Sequence, residues 1–193
     1  MIRNHVCLFT NFKGFAKRVF STVSLEISPV LSQMDEEVTI SAKNLVPNSR
    51  VKLETRLTKS SERFDFSSSN LYAVTEQGSV STACQAPLAD SSYQGCHRSG
   101  PLWSLRPLPG HKYRLWPQDI SHPLTYELTL SDAASGEILA RTSAVKTFLA
   151  SGVRRVVVKE GSLRGVLFLP PEPGPAVITI YGGVMNNQVP EDR

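Results

Sequence analysis

The chain has 193 residues, of which 40% are hydrophobic, 20% charged and 8% aromatic. That mixture suffices for a packed core and excludes a coiled coil, a collagen-like chain and a wholly disordered one, and no run of 18 apolar residues is present to span a membrane as a helix. The net charge of +4 invites a nucleic-acid reading, but Arg3, Lys13, Lys17 and Arg18 precede the first acid, Glu26. Taking those four from the 21 Lys and Arg leaves 17, equal to the 17 Asp and Glu, with no basic stripe.

Residues 1–24 are basic, free of acids, and include Thr10, Ser21, Thr22 and Ser24. Leu8, Phe9, Phe12, Phe15, Ala16, Val19 and Phe20 recur at helical spacing and leave Lys13 and Lys17 off their stripe. An amphipathic, acid-poor, basic N-terminus is what mitochondrial import reads. Residues 1–24 are therefore expected to be a presequence and the matrix the destination, with the cytoplasm as the alternative. Arg18-Val19-Phe20 followed by Ser21 resembles a presequence cleavage site. A secretory signal fits less well, because no continuous apolar stretch follows the charges.

From Leu25 the pattern turns to alternation. Val38–Ala42 reads as a strand, residues 44–50 as a turn, and Val51–Leu57 as a strictly alternating strand, together a hairpin with one wet face. Lys59–Glu62 reads as a turn. Phe64 and Phe66 alternate, Ser67–Asn70 breaks the pattern, and Leu71–Val74 is a further short strand. Residues 83–112, rich in Gly, Pro and Ser, are expected to form a long irregular crossover, held down by Leu102, Trp103, Leu105 and Tyr93. Leu124–Leu130, a turn at Asp132–Gly136 and a return strand at Glu137–Thr142 complete the pattern of a two-sheet antiparallel sandwich.

After Phe148 the character changes. Ala150-Ser151-Gly152 reads as a linker, and Val156–Val158 and Gly165–Leu169 as short apolar runs. The proline-rich stretch Pro170–Pro175 is a stiff connection. Ala176–Tyr181 then reads as a strand buried on both faces, ended by Gly182-Gly183. Cys7, Cys84 and Cys96 show neither a C-x-x-C pair nor a zinc pattern. They are expected to be ordinary buried or half-buried thiols of a reducing compartment.

Gly152-Val153-Arg154-Arg155, the block Arg164–Pro175, Gly100–Leu105 and the segment from Asp119 to Leu128 carry a resemblance. In order and spacing they are similar to the acyl-CoA thioesterases related to bile acid-CoA:amino acid N-acyltransferase, from about Leu25 to Gly183. The resemblance implies a mainly β chain. Residues 25–150 would be an Ig-like antiparallel β-sandwich, and 151–193 a linker and the first strands of a truncated α/β-hydrolase domain. It implies a fatty acyl-CoA substrate, no cofactor or metal, and a Ser or Cys nucleophile with Asp and His beyond the last residue of this chain. The chain alone is then expected to be inactive, either as a fragment or short isoform, or as a non-enzymatic module that associates with a catalytic α/β-hydrolase domain.

Substitutes for the missing nucleophile fail on spacing. Gly161-Ser162-Leu163-Arg164-Gly165 places serine beside the first glycine instead of at the centre of G-x-S-x-G. Cys96-His97 are adjacent and lack any elbow pattern, which reads as a loop thiol beside a surface imidazole. His111 and His122 read as surface or satisfied polar residues. One family element is expected at Gly182 and Gly183, a remnant of the turn whose backbone N–H groups help form an oxyanion hole. Val184-Met185-Asn186 stands there in place of the family's longer glycine run, and a plain strand-ending turn is the alternative.

Overall fold

A computed structural model describes residues 22–58, 65–109 and 120–179. Their strands form three sheets. The first contains β1 (Ser24–Ser28), β3 (Thr39–Lys43) and β6 (Val80–Ser81) in the order β1-β3-β6. The second has six strands: β2 (Leu31–Gln33), β4 (Arg50–Thr58), β5 (Asp65–Ala73), β7 (Arg106–Pro107), β8 (Leu124–Asp132) and β9 (Ile138–Thr147). Their order is β2-β9-β8-β4-β5-β7, antiparallel except for the parallel β2–β9 pair. The third is an isolated hairpin of β10 (Arg154–Glu160) and β11 (Leu163–Leu169).

Period-two alternation builds the core. Val51, Leu53 and Leu57 of β4 and Leu124, Tyr126, Leu128 and Leu130 of β8 are all buried, while the intervening Lys52, Glu54, Glu127 and Thr129 face the other way. Ile27, Ile40 and Ala42 of the smaller sheet join the same cluster. Inner-face apolar residues of two sheets packed in this way are what makes a mainly β sandwich. Lys146 on β9 is also buried. Its Nζ donates to the carbonyl oxygens of Gln33, at 2.9 Å, and Glu36, which fastens the β2–β3 loop to the sheet. Burial pushes this amine below the usual lysine range, against the opposing pull of Glu36 and Asp35.

Several sequence expectations change. β3 and β4 are not a hairpin: β3 pairs with β1 and β6, β4 with β5 and β8, and the turn between them carries the chain from one sheet to the other. Ser67–Asn70 is no break but the middle of β5, with Ser68 and Asn70 facing inward and buried. The return strand extends to Thr147 rather than Thr142. Ala176–Thr179 lies in no strand, and Val177 and Ile178 are 87% and 84% exposed, so among the described residues this segment has neither sheet neighbours nor cover. Cys84 and Cys96 are free and exposed rather than buried. Cys7, His111, Gly182, Gly183 and all but the end of the expected presequence lie outside the described residues.

Candidate functional site

The crossover after β6 is ordered by polar contacts. β5 pairs fully with β4 on one side but only at Phe66 and Ser67 with β7 on the other, so most of its outer edge would be open. The crossover closes it. Leu88 N donates to Leu71 O at 2.7 Å and Ser92 N to Ser69 O at 3.0 Å. The hydroxyls of Ser91 and Ser92 accept from Leu71 N and Ser69 N at 2.9 and 2.8 Å. Serine side chains thus replace the missing strand and cover an edge that could otherwise pair with another chain.

The inward residues of β5 explain why polar groups sit in this core. The Ser68 hydroxyl donates to Pro101 O at 2.6 Å, Asn70 Oδ1 accepts from Ser92 N at 3.1 Å, and the Tyr72 and Tyr93 hydroxyls meet at 2.6 Å. On the opposite sheet's margin, Thr82 Oγ1 accepts from Ile40 N at 3.0 Å and donates to Arg98 O at 2.7 Å. Buried hydrogen bonds of this kind specify one docking position for the crossover, which apolar contacts alone would not. Burial pushes the Tyr72 phenol well above its ordinary range, and burial also raises Tyr93.

These bonds seat a short helix, α1 (Gly100–Trp103), against the sandwich and place an aromatic group at the surface. Tyr93 lies 5.6 Å from Trp103 and 6.2 Å from His97, and the His97 ring meets Trp103 edge-on at 5.5 Å. Gly100 permits this closeness, since a Cβ there would stand 2.2 Å from the Tyr93 ring. Trp103 is nonetheless 59% exposed. The adjacent Cys96 thiol donates to Thr82 O at 3.7 Å, while His97 is engaged with Trp103. A thiol needs a base to become a nucleophile, and this geometry directs the S–H at a carbonyl instead.

A second candidate is the outer face of β4, β8 and β9, a shallow, solvent-open depression lined by Lys52, Glu54, Arg56, Glu127, Thr129 and Arg141. Burial raises the Glu54 carboxyl, but the Arg56 hydrogen bond and charge, with Lys52, outweigh it and hold the group below its ordinary value. Carboxylates and cations alternate, so no region of one sign forms. Among the described residues no three His, Cys, Asp or Glu side chains come together to hold a metal.

The other sequence candidates fall elsewhere. Gly161 and Ser162 are the two-residue loop of the β10–β11 hairpin, with Gly161 at φ 52. This is strand–turn–strand, whereas a nucleophile elbow needs a strand–turn–helix. His122 sits exposed before β8. The turn expected at Gly182-Gly183 is outside the described residues. The edge-covering role of Ser91 and Ser92 was not foreseen from the sequence; the Ser-rich run Ser67–Ser69 facing a second Ser pair is its only sequence trace.

Comparison with known proteins gives these features a context. The family described as "Acyl-CoA thioester hydrolase/BAAT N-terminal region" matches residues 35–160, from the β2–β3 loop to the end of β10. Acyl-coenzyme A thioesterase 1 of Rattus norvegicus is 35% identical over 167 residues, covering 84% of this chain and 39% of that protein. The mitochondrial acyl-coenzyme A thioesterase 2 of Mus musculus is 35% identical over 153 residues, 77% of this chain and 33% of that protein. The peroxisomal succinyl-coenzyme A thioesterase of Mus musculus is 33% identical over 165 residues, 82% and 38% respectively. The chain therefore spans less than two fifths of the length of these curated relatives. With the family matched across the sandwich and relatives aligned over most of the sequence, the chain belongs to the acyl-CoA thioester hydrolase/BAAT family and carries its N-terminal region.

Proposed function

We propose that this chain supplies the N-terminal β-sandwich of a fatty acyl-CoA thioesterase, and that thioester hydrolysis is carried out by residues outside these 193. The observation that carries this reading is where the family match falls: residues 35–160 hold a packed sandwich and contain no strand–turn–helix elbow among the described residues. Hydrolysis of a thioester needs an activated nucleophile, and a Ser or Cys serves only with a His to take its proton and an acid to orient that His.

The β10–β11 hairpin supports an α/β-hydrolase domain starting near residue 151. Cross-strand pairs place Val156, Val158, Leu163, Leu167 and Leu169 on one face and Val157, Val166 and Phe168 on the other. Apolar residues on both faces suit a sheet covered by helices on both sides. Two strands alone are marginal in water, and here Leu167 and Phe168 are 47% and 42% exposed. In this reading Gly182 and Gly183, which lie outside the described residues, are the proposed remnant of the oxyanion turn.

The exposed hairpin also favours a second reading, in which the chain acts as a non-enzymatic module that docks on a full-length thioesterase. The acid-free N-terminus and the mitochondrial relatives support a matrix location. A reporter fused behind residues 1–24 should enter mitochondria, and a cytosolic reporter would contradict that assignment.

The purified chain, offered fatty acyl-CoA and followed by thiol release, is expected to show no rate above buffer. A rate that disappears in Cys96→Ala would contradict the proposal. Co-purification with a full-length thioesterase, with a change in that enzyme's turnover, would favour the second reading.

A further inference from the structure

We propose that Cys84 and Cys96 form an oxidisable dithiol, which hydrogen peroxide converts into a disulfide that clamps the crossover over the β5 edge.

The two cysteines stand at the ends of the segment that closes this edge. Between them lie Leu88, Ser91 and Ser92, whose backbone and hydroxyl groups bond to Ser69 and Leu71. Tyr93, whose hydroxyl meets that of Tyr72, lies between them as well. One residue gathers both cysteines. Cys96 Sγ is 3.7 Å from Thr82 O. The Thr82 hydroxyl donates to Arg98 O at 2.7 Å, so residues 96–98 run against Thr82. Cys84 follows Thr82 by two positions, in a turn closed by the bond from Cys84 N to Ser81 O at 3.4 Å. Two Cα–Cα steps of about 3.8 Å are the most that separates Cys84 from Thr82, and a turn shortens that span. A disulfide bridges Cα atoms up to about 7 Å apart. Both cysteines are exposed, so their sulfurs can turn toward each other over the surface without disturbing the core.

The chemistry is a two-electron oxidation of the thiols, with the peroxide reduced to water. Cys96 gives its S–H to Thr82 O, so Cys84 takes the first step. Its sulfur, having lost the proton to water, attacks one peroxide oxygen. The O–O bond breaks, water leaves, and a sulfenic acid remains. The Cys96 sulfur then releases its proton and attacks the Cys84 sulfur. The S–S bond forms, the S–O bond breaks and a second water leaves. A thiol reductant reverses the product by exchange, as suits a compartment where disulfides are transient. The ring closed through residues 84–96 excludes conformations in which this segment has lifted from β5. Oxidation thus holds the edge covered against pairing with another chain.

Treatment of the reduced, purified chain with hydrogen peroxide, then alkylation, proteolysis and mass spectrometry, tests this. The proposal expects a monomer lighter by two hydrogens, with Cys84 and Cys96 in one cross-linked peptide pair that dithiothreitol separates. Two alkylated thiols, a link from either to Cys7 or to a second chain, or sulfinic acids without the link would overturn it. Cys96→Ser should leave a sulfenic acid on Cys84 that dimedone labels, and its absence would overturn the order of steps. The amides of Ser69 and Leu71 donate to the Ser92 and Ser91 hydroxyls. They should exchange with solvent several-fold more slowly in the oxidised chain than in the reduced one, and not respond to peroxide in Cys84→Ser. Equal rates in the two states of the unaltered chain would overturn the clamp.

Discussion

The sandwich and the β10–β11 hairpin are written in the same alternating code but end in opposite states. In β8, Leu124, Tyr126, Leu128 and Leu130 meet a second sheet and are at most 7% exposed. In β10 and β11, Val156, Val157, Leu163, Leu167 and Phe168 are all more than a third exposed. The difference lies in what covers the strands. The sandwich has two sheets and a crossover that closes the β5 edge with serine hydroxyls, while the hairpin has only itself. Alternation therefore specifies strands, and burial depends on whether partner layers are present.

The largest expected effect comes from deleting matched leucines. Leu128→Ala empties a fully buried site and should lower stability by about 3 kcal/mol. Leu167→Ala on the hairpin should move it by no more than about 0.5 kcal/mol. Urea titration of both variants checks this, and equal losses would erase the distinction between the two regions.

Gly100→Ala comes next. Its methyl would land 2.2 Å from the Tyr93 ring, so α1 must lift, at a cost of about 2 kcal/mol. The emission of Trp103 should shift with the loss of its Tyr93 and His97 neighbours, which fluorescence reads directly.

High pH should separate the regions again. Burial raises Tyr72, Tyr93 and Tyr126 above their ordinary value of 10.0. A raised folded-state pKa gives stability that is fully present below pH 10 and lost as pH climbs above it toward the folded values, because only the unfolded chain ionises readily there. The phenolate absorbance of these three tyrosines should therefore appear together with loss of sandwich structure. Early ionisation of these three with the fold intact would contradict their burial.

The last effect concerns a single hydroxyl. Thr55 is fully buried in β4, and its Oγ1 has no hydrogen-bond partner among the described residues. Thr55→Val keeps the shape and removes the orphaned group, so stability should rise by about 1 kcal/mol, readable as a higher melting temperature.

Much of this was legible in the residues. Val51–Leu57 and Leu124–Leu130 alternate strictly because one face is wet, and both lie within strands. At Ser67–Asn70 the alternation of β5 is hidden because its inward positions are polar. Ser68 and Asn70 are satisfied by Pro101 and Ser92, more than twenty residues away, which no local pattern reveals. The mispaired β3–β4 hairpin has a similar cause: a turn with Asn48 at positive φ looks the same whether it joins neighbours or switches sheets. The expected burial of Cys84 and Cys96 failed because both lie in the crossover, whose polar ties hold it on the outside. For the candidate site, the spacing around Ser162 departs from G-x-S-x-G, and the structure places this serine in a strand–turn–strand loop.

Native-state hydrogen exchange on the purified chain tests the contrast most directly. The amides of β4 and β8 should exchange most slowly, at rates set by global unfolding, while those of β10 and β11 exchange by local opening well before it. Hairpin amides as protected as those of β8 would mean that the second region is already a finished part of the fold, and would contradict the reading that its cover comes from elsewhere.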